Sequence, residues 1–175
     1  MTMSTTAATI VDFARFAPAD LYRLFADVYA SADGMSETLA EKYPSLSDFE
    51  ADLGLLRRLP GAVALAAAVA QDPVAYVIMR PRKQSRLRHT ADLSMGVANC
   101  ARGRGLGSAV LCAALERAAA DTALEIVYLM VRSDNAAAMR LYARAGFEVL
   151  AVLERDTRIG DCHFDGVLMR RFLRR

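Results

Sequence analysis

The 175-residue chain has little of what marks several protein classes. Cysteine is confined to Cys100, Cys112 and Cys162, an odd set without paired ligand spacing, and histidine to His89 and His163. Such a set gives no basis for a structural zinc site or a disulfide framework, so a reduced, cytoplasmic protein with no bound metal is expected. The longest apolar run, Ala62 to Ala70, is about half the length a membrane helix needs. It reads as a buried strand, and no membrane partner is expected. Met1 to Ala8 are small and polar, without the basic start and apolar stretch of a secretory signal. No repeat or low-complexity linker interrupts the chain, so one domain over residues 1–175 is expected, long enough for a substantial core. A net charge of +2 is too small for a dedicated nucleic-acid binder.

What is present alternates between strand and helix signals. Thr9 to Phe16 reads as a first strand. Pro18 opens a helix in which Leu21, Leu24, Phe25 and Val28 recur at helical spacing up to Gly34. A second helix is expected from Ser47, where Ser47-Asp48-Phe49-Glu50 fits a capping box, to Arg58 before Pro60-Gly61. Ala62–Ala70 and Val74–Arg80 read as a hairpin turning at Gln71-Asp72-Pro73, followed by a basic loop from Pro81 to Arg88 that is either a solvated connection or a lid over an anion. Thr90–Val97 is the next strand. Gly105–Ala120 is the next helix, with Val110, Leu111, Ala114, Leu115 and Ala118 facing inward. Glu125–Arg132, apolar on both faces, reads as a central strand. Strand, crossover helix and strand make a right-handed parallel unit. Ser133 or Asp134 caps a further helix ending at Gly146, before strands Phe147–Leu153 and Phe164–Leu173. A mixed sheet with helices on both faces follows.

Three glycines and two arginines lie between strand and helix in Ala101-Arg102-Gly103-Arg104-Gly105-Leu106-Gly107-Ser108. Glycines bring bare N–H groups close to an anion, the helix that follows adds its unpaired N–H groups and dipole, and arginines add charge. A Walker loop requires Lys after its last glycine, but Ser108 and Ala109 stand there. A dinucleotide fingerprint requires Gly-x-Gly-x-x-Gly, and the order here is Gly103-x-Gly105-x-Gly107.

Arg102-x-x-Gly105-x-Gly107 resembles the acetyl-coenzyme A motif of the GNAT superfamily of N-acyltransferases. The resemblance continues in Val127 to Val131, in Asn135 with Tyr142 seven residues later, and in Gly146-Phe147, covering roughly residues 74 to 172. It implies an α/β fold, a three-layer α/β/α arrangement whose mixed, largely antiparallel sheet holds one splayed parallel pair. It also implies transfer of an acetyl group from acetyl-CoA to a primary amine by direct attack in a ternary complex. The backbone of Met95, Gly96 and Val97 would then hold the pantetheine arm and polarise the thioester. The N–H groups of Gly103, Arg104, Gly105, Leu106, Gly107 and Ser108 would hold the pyrophosphate, with the Arg102 and Arg104 side chains nearby. By the same resemblance Asn135 bonds the cofactor or a water, and Tyr142 protonates the departing thiolate. Gly96 also fits a bulge or a packing site, and Arg144 either approaches the adenosine phosphate or lies at the surface.

The family position for a basic glutamate falls on Ala91, which cannot accept a proton. Asp92, His89, Glu37, Asp165 and a water chain remain as alternatives. Cys100 lacks a supporting base for covalent chemistry. Residues 1–56 hold nine acidic against three basic side chains, net −6, leaving +8 elsewhere. A basic cofactor side and an acidic acceptor side would favour a cationic small-molecule amine, although ordinary helix-surface acids account for the same numbers. A non-catalytic acyl-CoA sensor, a protein N-terminal or lysine acetyltransferase, and a homodimer are left open.

Overall fold

The computed structural model describes residues 8–32 and 34–173. Asp33 and the polar start at residues 1–7 lie outside them. Seven strands form one sheet: β1 (Thr9–Asp12), β2 (Val63–Val69), β3 (Asp72–Pro81), β4 (Thr90–Val97), β5 (Ile126–Arg132), β6 (Glu148–Ile159) and β7 (Cys162–Phe172), in the spatial order β1-β2-β3-β4-β5-β7-β6. Every neighbouring pair is antiparallel except β4 and β5. The helices are α1 (Pro18–Ser31), a single turn α2 (Leu39–Lys42), α3 (Leu46–Arg58), α4 (Leu106–Asp121) and α5 (Ala136–Arg144).

The apolar periodicity decides which face each helix covers. Leu21, Leu24, Phe25 and Val28 of α1 and Phe49, Leu53 and Leu56 of α3 are buried on one face of the sheet, with Tyr76 and Ile78 of β3. Phe25 stacks on Tyr76 with ring centroids 4.0 Å apart, fixing α1 over the middle of the sheet. On the opposite face α4 buries Val110, Leu111, Ala114, Leu115 and Ala118, all five of the positions expected from the sequence, against Ala91, Leu93, Val127 and Leu129.

Several boundaries differ from the sequence reading. β1 ends at Asp12, whose carboxylate accepts from the Ala14 N–H and starts a 3₁₀ turn. Ser45, not Ser47, caps α3 by accepting from the Asp48 N–H, and Thr38 with Glu41 forms a capping box on α2. The β2–β3 hairpin turns at Ala70 and Gln71, both at positive φ (50° and 73°), and Pro73 lies within β3 next to the extra residue Val74, where the register shifts between Ala67 and Ala68. A bulge tolerates a residue that has no N–H to donate. The β6–β7 hairpin is longer than expected, and β6 is an edge strand with Val149 and Val152 more than half exposed.

Candidate active site

β4 and β5 pair only at Thr90–Ile126, Ala91–Val127 and Asp92–Tyr128. Beyond Asp92 the strands diverge. β4 continues to Val97 along β3, and β5 continues to Arg132 along β7, so residues 93–97 and 129–132 flank an opening in the sheet. A cavity of about 1000 Å³ occupies it. Its lining takes in Leu93 to Val97, Tyr128 to Arg132, the Arg102–Ser108 loop without Arg104, Asn135 and Tyr142.

Gly96 is explained by packing. A Cβ there would lie 2.5 Å from Val28 Cγ1 and 2.7 Å from Tyr76 Cε1, whereas the β3–β4 register runs through Gly96 without a bulge. Gly107 plays the matching part at the start of α4, where a Cβ would lie 3.2 Å from Val97 Cγ2. Met95 and Val97 pack in part against the α4-side core and also line the opening.

Gly103 and Gly105 adopt φ of 73° and 76°, which suits glycine. With this turn the N–H groups of residues 103 to 108 have no intramolecular acceptor among the described residues. The Arg102 side chain makes bonds within the protein that the sequence did not indicate. Its Nε donates to the Val97 carbonyl (3.2 Å), Nη1 to the Ser31 carbonyl (2.9 Å) and Nη2 to Ser31 Oγ (2.7 Å). Asp27 adds a second tie by accepting from the Asn99 N–H at 2.8 Å. The arginine thus straps the glycine loop to the C-terminal end of α1 while it lines the cavity. Arg104 is exposed and lies outside the cavity lining.

Asn135 is itself the N-cap of α5, in place of Ser133 or Asp134, and its Oδ1 accepts from the Ala138 N–H at 3.1 Å. Tyr142, two turns further, is 8% exposed and lies edge-on to Phe147. Its hydroxyl has no protein hydrogen-bond partner among the described residues, and burial pushes its pKa up to about 12.

The carboxylates weighed as bases separate clearly. Ala91 is fully buried in the α4-side core, while Asp92 turns to the cavity and pairs bidentately with Arg82 (2.8 and 3.2 Å). Glu37 also lines the cavity, paired with Lys42. His89, Asp165 and Cys100 do not line it. Of the acidic side chains in residues 1–56, Glu37 alone lines the cavity among the described residues. Several others serve the fold, as when Asp52 accepts from Tyr43 and Arg80. Arg144 lines the cavity.

The sequence reading missed much of the opposite wall. β5 is not buried on both faces: Val127, Leu129 and Val131 enter the core, and Tyr128, Met130 and Arg132 face the cavity. The polar tips at alternate positions carried that signal. Tyr29, Lys42, Asp156 and Thr157 complete the wall. Burial raises the Tyr29 pKa, and pairing with Glu37 raises that of Lys42 against the opposing effect of burial. Among the described residues no group of three His, Cys, Asp or Glu side chains could hold a metal, and no helix is long and apolar enough to cross a membrane.

A mixed sheet opened at its parallel pair, with a glycine turn and a helix N-terminus beside the opening, defines the acyl-coenzyme A acyltransferase fold. The family model for the acetyltransferase (GNAT) family matches residues 19–147, and the chain belongs to that family of enzymes. It is 26% identical over 128 residues to L-amino acid N-acetyltransferase AaaT of Escherichia coli (strain K12), covering 73% of this chain and 77% of that protein. Among solved structures, a GNAT acetyltransferase from Streptococcus pneumoniae superposes with a TM-score of 0.87 at 25% identity, covering 95% of this chain and 99% of the other. The fold is also shared with yncA from Salmonella typhimurium, solved with its cofactor acetyl-CoA, at a TM-score of 0.84 and 20% identity over 96% and 95% of the two chains.

Proposed function

We propose that this enzyme transfers an acetyl group from acetyl-CoA to a primary amine of a small molecule, by direct attack within a ternary complex. The observation that carries the reading is the termination of the β4–β5 ladder at Asp92 and Tyr128. It leaves a slot between two strand backbones, with bare N–H groups at residues 103–108 beside it. A linear amide-bearing arm can bond to such edges, and a diphosphate suits those N–H groups at the positive end of α4. Asn135 Nδ2 is left for the cofactor or a water. The similarity to an L-amino acid N-acetyltransferase supports an amino acid or another small amine as acceptor.

In this reading the amine nitrogen attacks the thioester carbonyl, a main-chain N–H of the Met95–Val97 segment stabilises the oxyanion, and Tyr142 donates to the departing sulfur. Asp92 and Glu37 are both held in ion pairs, and proton removal from nitrogen is assigned to water at the open mouth of the cavity. The test is release of free coenzyme A thiol from acetyl-CoA in the presence of a panel of amino acids, diamines and peptides. Turnover with small amines is expected. Turnover with peptides alone would overturn the acceptor class, and tight acetyl-CoA binding without turnover would favour a sensor.

A further inference from the structure

The acceptor-side wall of the cavity carries several charges, and nearly all are neutralised within the protein. Glu37 pairs with Lys42, Asp92 with Arg82 and Asp134 with Arg132. Asp156 differs: among the described residues its carboxylate has no ion-pair partner, only a long contact from Thr157 Oγ1 at 3.4 Å. Among the described residues it is the uncompensated negative charge of that wall.

Three local features place it there. The β6–β7 register jumps from Leu153–Gly166 to Thr157–Phe164, so Glu154, Arg155 and Asp156 bulge opposite Asp165. Arg155 takes a φ of 56°, which is strained for a residue with a side chain, and Asp165 Oδ1 holds it by accepting the Arg155 N–H at 2.9 Å. Position 166 is glycine, and a Cβ there would lie 2.7 Å from Asp156 Oδ2 and 3.0 Å from its Cβ. The Asp156 side chain therefore lies flat over Gly166. Gly166 is the register partner of Arg132, so both face the side of the sheet to which Tyr128 and Met130 also point. Bulge, positive φ and missing side chain together deliver one carboxylate to the acceptor face.

We infer that Asp156 is a specificity-determining residue that anchors a cationic group of the acceptor, and that the preferred acceptors carry a positive charge beyond the reacting nitrogen. This rests on the acetyltransferase reading of the same cavity. A carboxylate over a partly open wall binds an ammonium or guanidinium by a charge-assisted hydrogen bond, whose strength its exposure to solvent reduces.

The experiment compares wild type, Asp156→Asn and Gly166→Ala with 1,5-diaminopentane, lysine amide and acetohydrazide, the last a nucleophile that is neutral at pH 7.5. For the two cationic acceptors, D156N is expected to raise KM about tenfold, leaving the KM for acetyl-CoA within twofold. The hydrazide KM should not move. G166A, which keeps the charge but displaces the side chain, should shift the same two acceptors in the same direction. Calorimetric titration of 1,5-diaminopentane into protein saturated with coenzyme A reads binding without turnover. Binding that D156N weakens, in a protein that releases no thiol with any amine, would leave the anchor standing and remove the transferase reading. Unchanged KM values for the cationic acceptors in D156N, or no binding of the diamine to wild type, would overturn the inference.

Discussion

Replacing Tyr142 by Phe removes one hydroxyl from the cavity wall and leaves the packing of the ring untouched. That hydroxyl has no protein partner among the described residues, and the ring contact with Phe147 survives. The melting temperature of Y142F is therefore expected to stay within about 2 °C of wild type. The chemistry differs. Burial keeps the phenol neutral up to about pH 12, whereas a free thiol ionises near 8.5, so complete proton transfer to a departed thiolate runs uphill by about 5 kcal/mol. In the proposed reaction Tyr142 therefore serves by donating a hydrogen bond to the charge growing on sulfur as the C–S bond breaks. A hydrogen bond to a charged group contributes about 1.5–3 kcal/mol, which corresponds to a fall in kcat of about 10- to 150-fold. The KM for acetyl-CoA should change less than twofold, since the proposed reading assigns cofactor binding to loop and strand backbone. Steady-state thiol release across pH 6.5–10, combined with thermal melts, measures both sides of the argument. Wild-type kcat should show no loss from tyrosine ionisation in that range. A Y142F enzyme with wild-type kcat would refute the role, and one with a large fall in melting temperature would refute the packing argument.

Gly96→Ala forces a methyl to 2.5 Å from Val28 and 2.7 Å from Tyr76, an overpacking expected to cost about 1–3 kcal/mol in urea denaturation; an unchanged midpoint would contradict the close approach of α1. Arg102→Ala cuts the strap between the glycine loop and α1, so the KM for acetyl-CoA should rise about tenfold with a smaller change in kcat; a change in kcat alone would argue against positioning of the loop. Tyr29, Tyr43, Tyr76 and Tyr142 all have pKa values raised chiefly by burial. The unfolded chain loses its phenolic protons near pH 10 while the folded chain retains them, so stability is intact below pH 10 and falls as pH rises above it. Urea midpoints that stay level from pH 8 to 11.5 would show that these phenols are not shielded.

The parts of the fold legible in the sequence are those fixed by local chemistry. Apolar spacing located α4 and its inward residues, and Pro18 placed the start of α1. Glycines at 103 and 105 announced a tight turn before a helix, which the structure makes with both at positive φ. Capping residues were identified by type but misplaced by one or two positions, at Ser45 and Asn135, because serine, aspartate and asparagine neighbours compete for the same role until packing chooses. Long-range consequences were out of reach. Arg102 looks like an anion ligand in the sequence, and only the arrival of Ser31, 71 positions away, engages its donors. The turn at Ala70-Gln71 and the bulge at Arg155 use residues that rarely adopt positive φ, and the sheet register imposes them against local preference. Tyr128, Met130 and Arg132 were read as core because the apolar bulk of the strand outweighed the polar tips of Tyr128 and Arg132, the one sign that this face borders a void.

The short seam between β4 and β5 divides the sheet into two panels, one built on β1 to β4 and the other on β5 to β7. Like a book held by the last centimetre of its spine, the aperture depends on the twist at that spine. Ala91 and Val127, paired there and both fully buried, govern that angle from a distance. Enlarging either one should change the gape of the cleft without touching anything inside it.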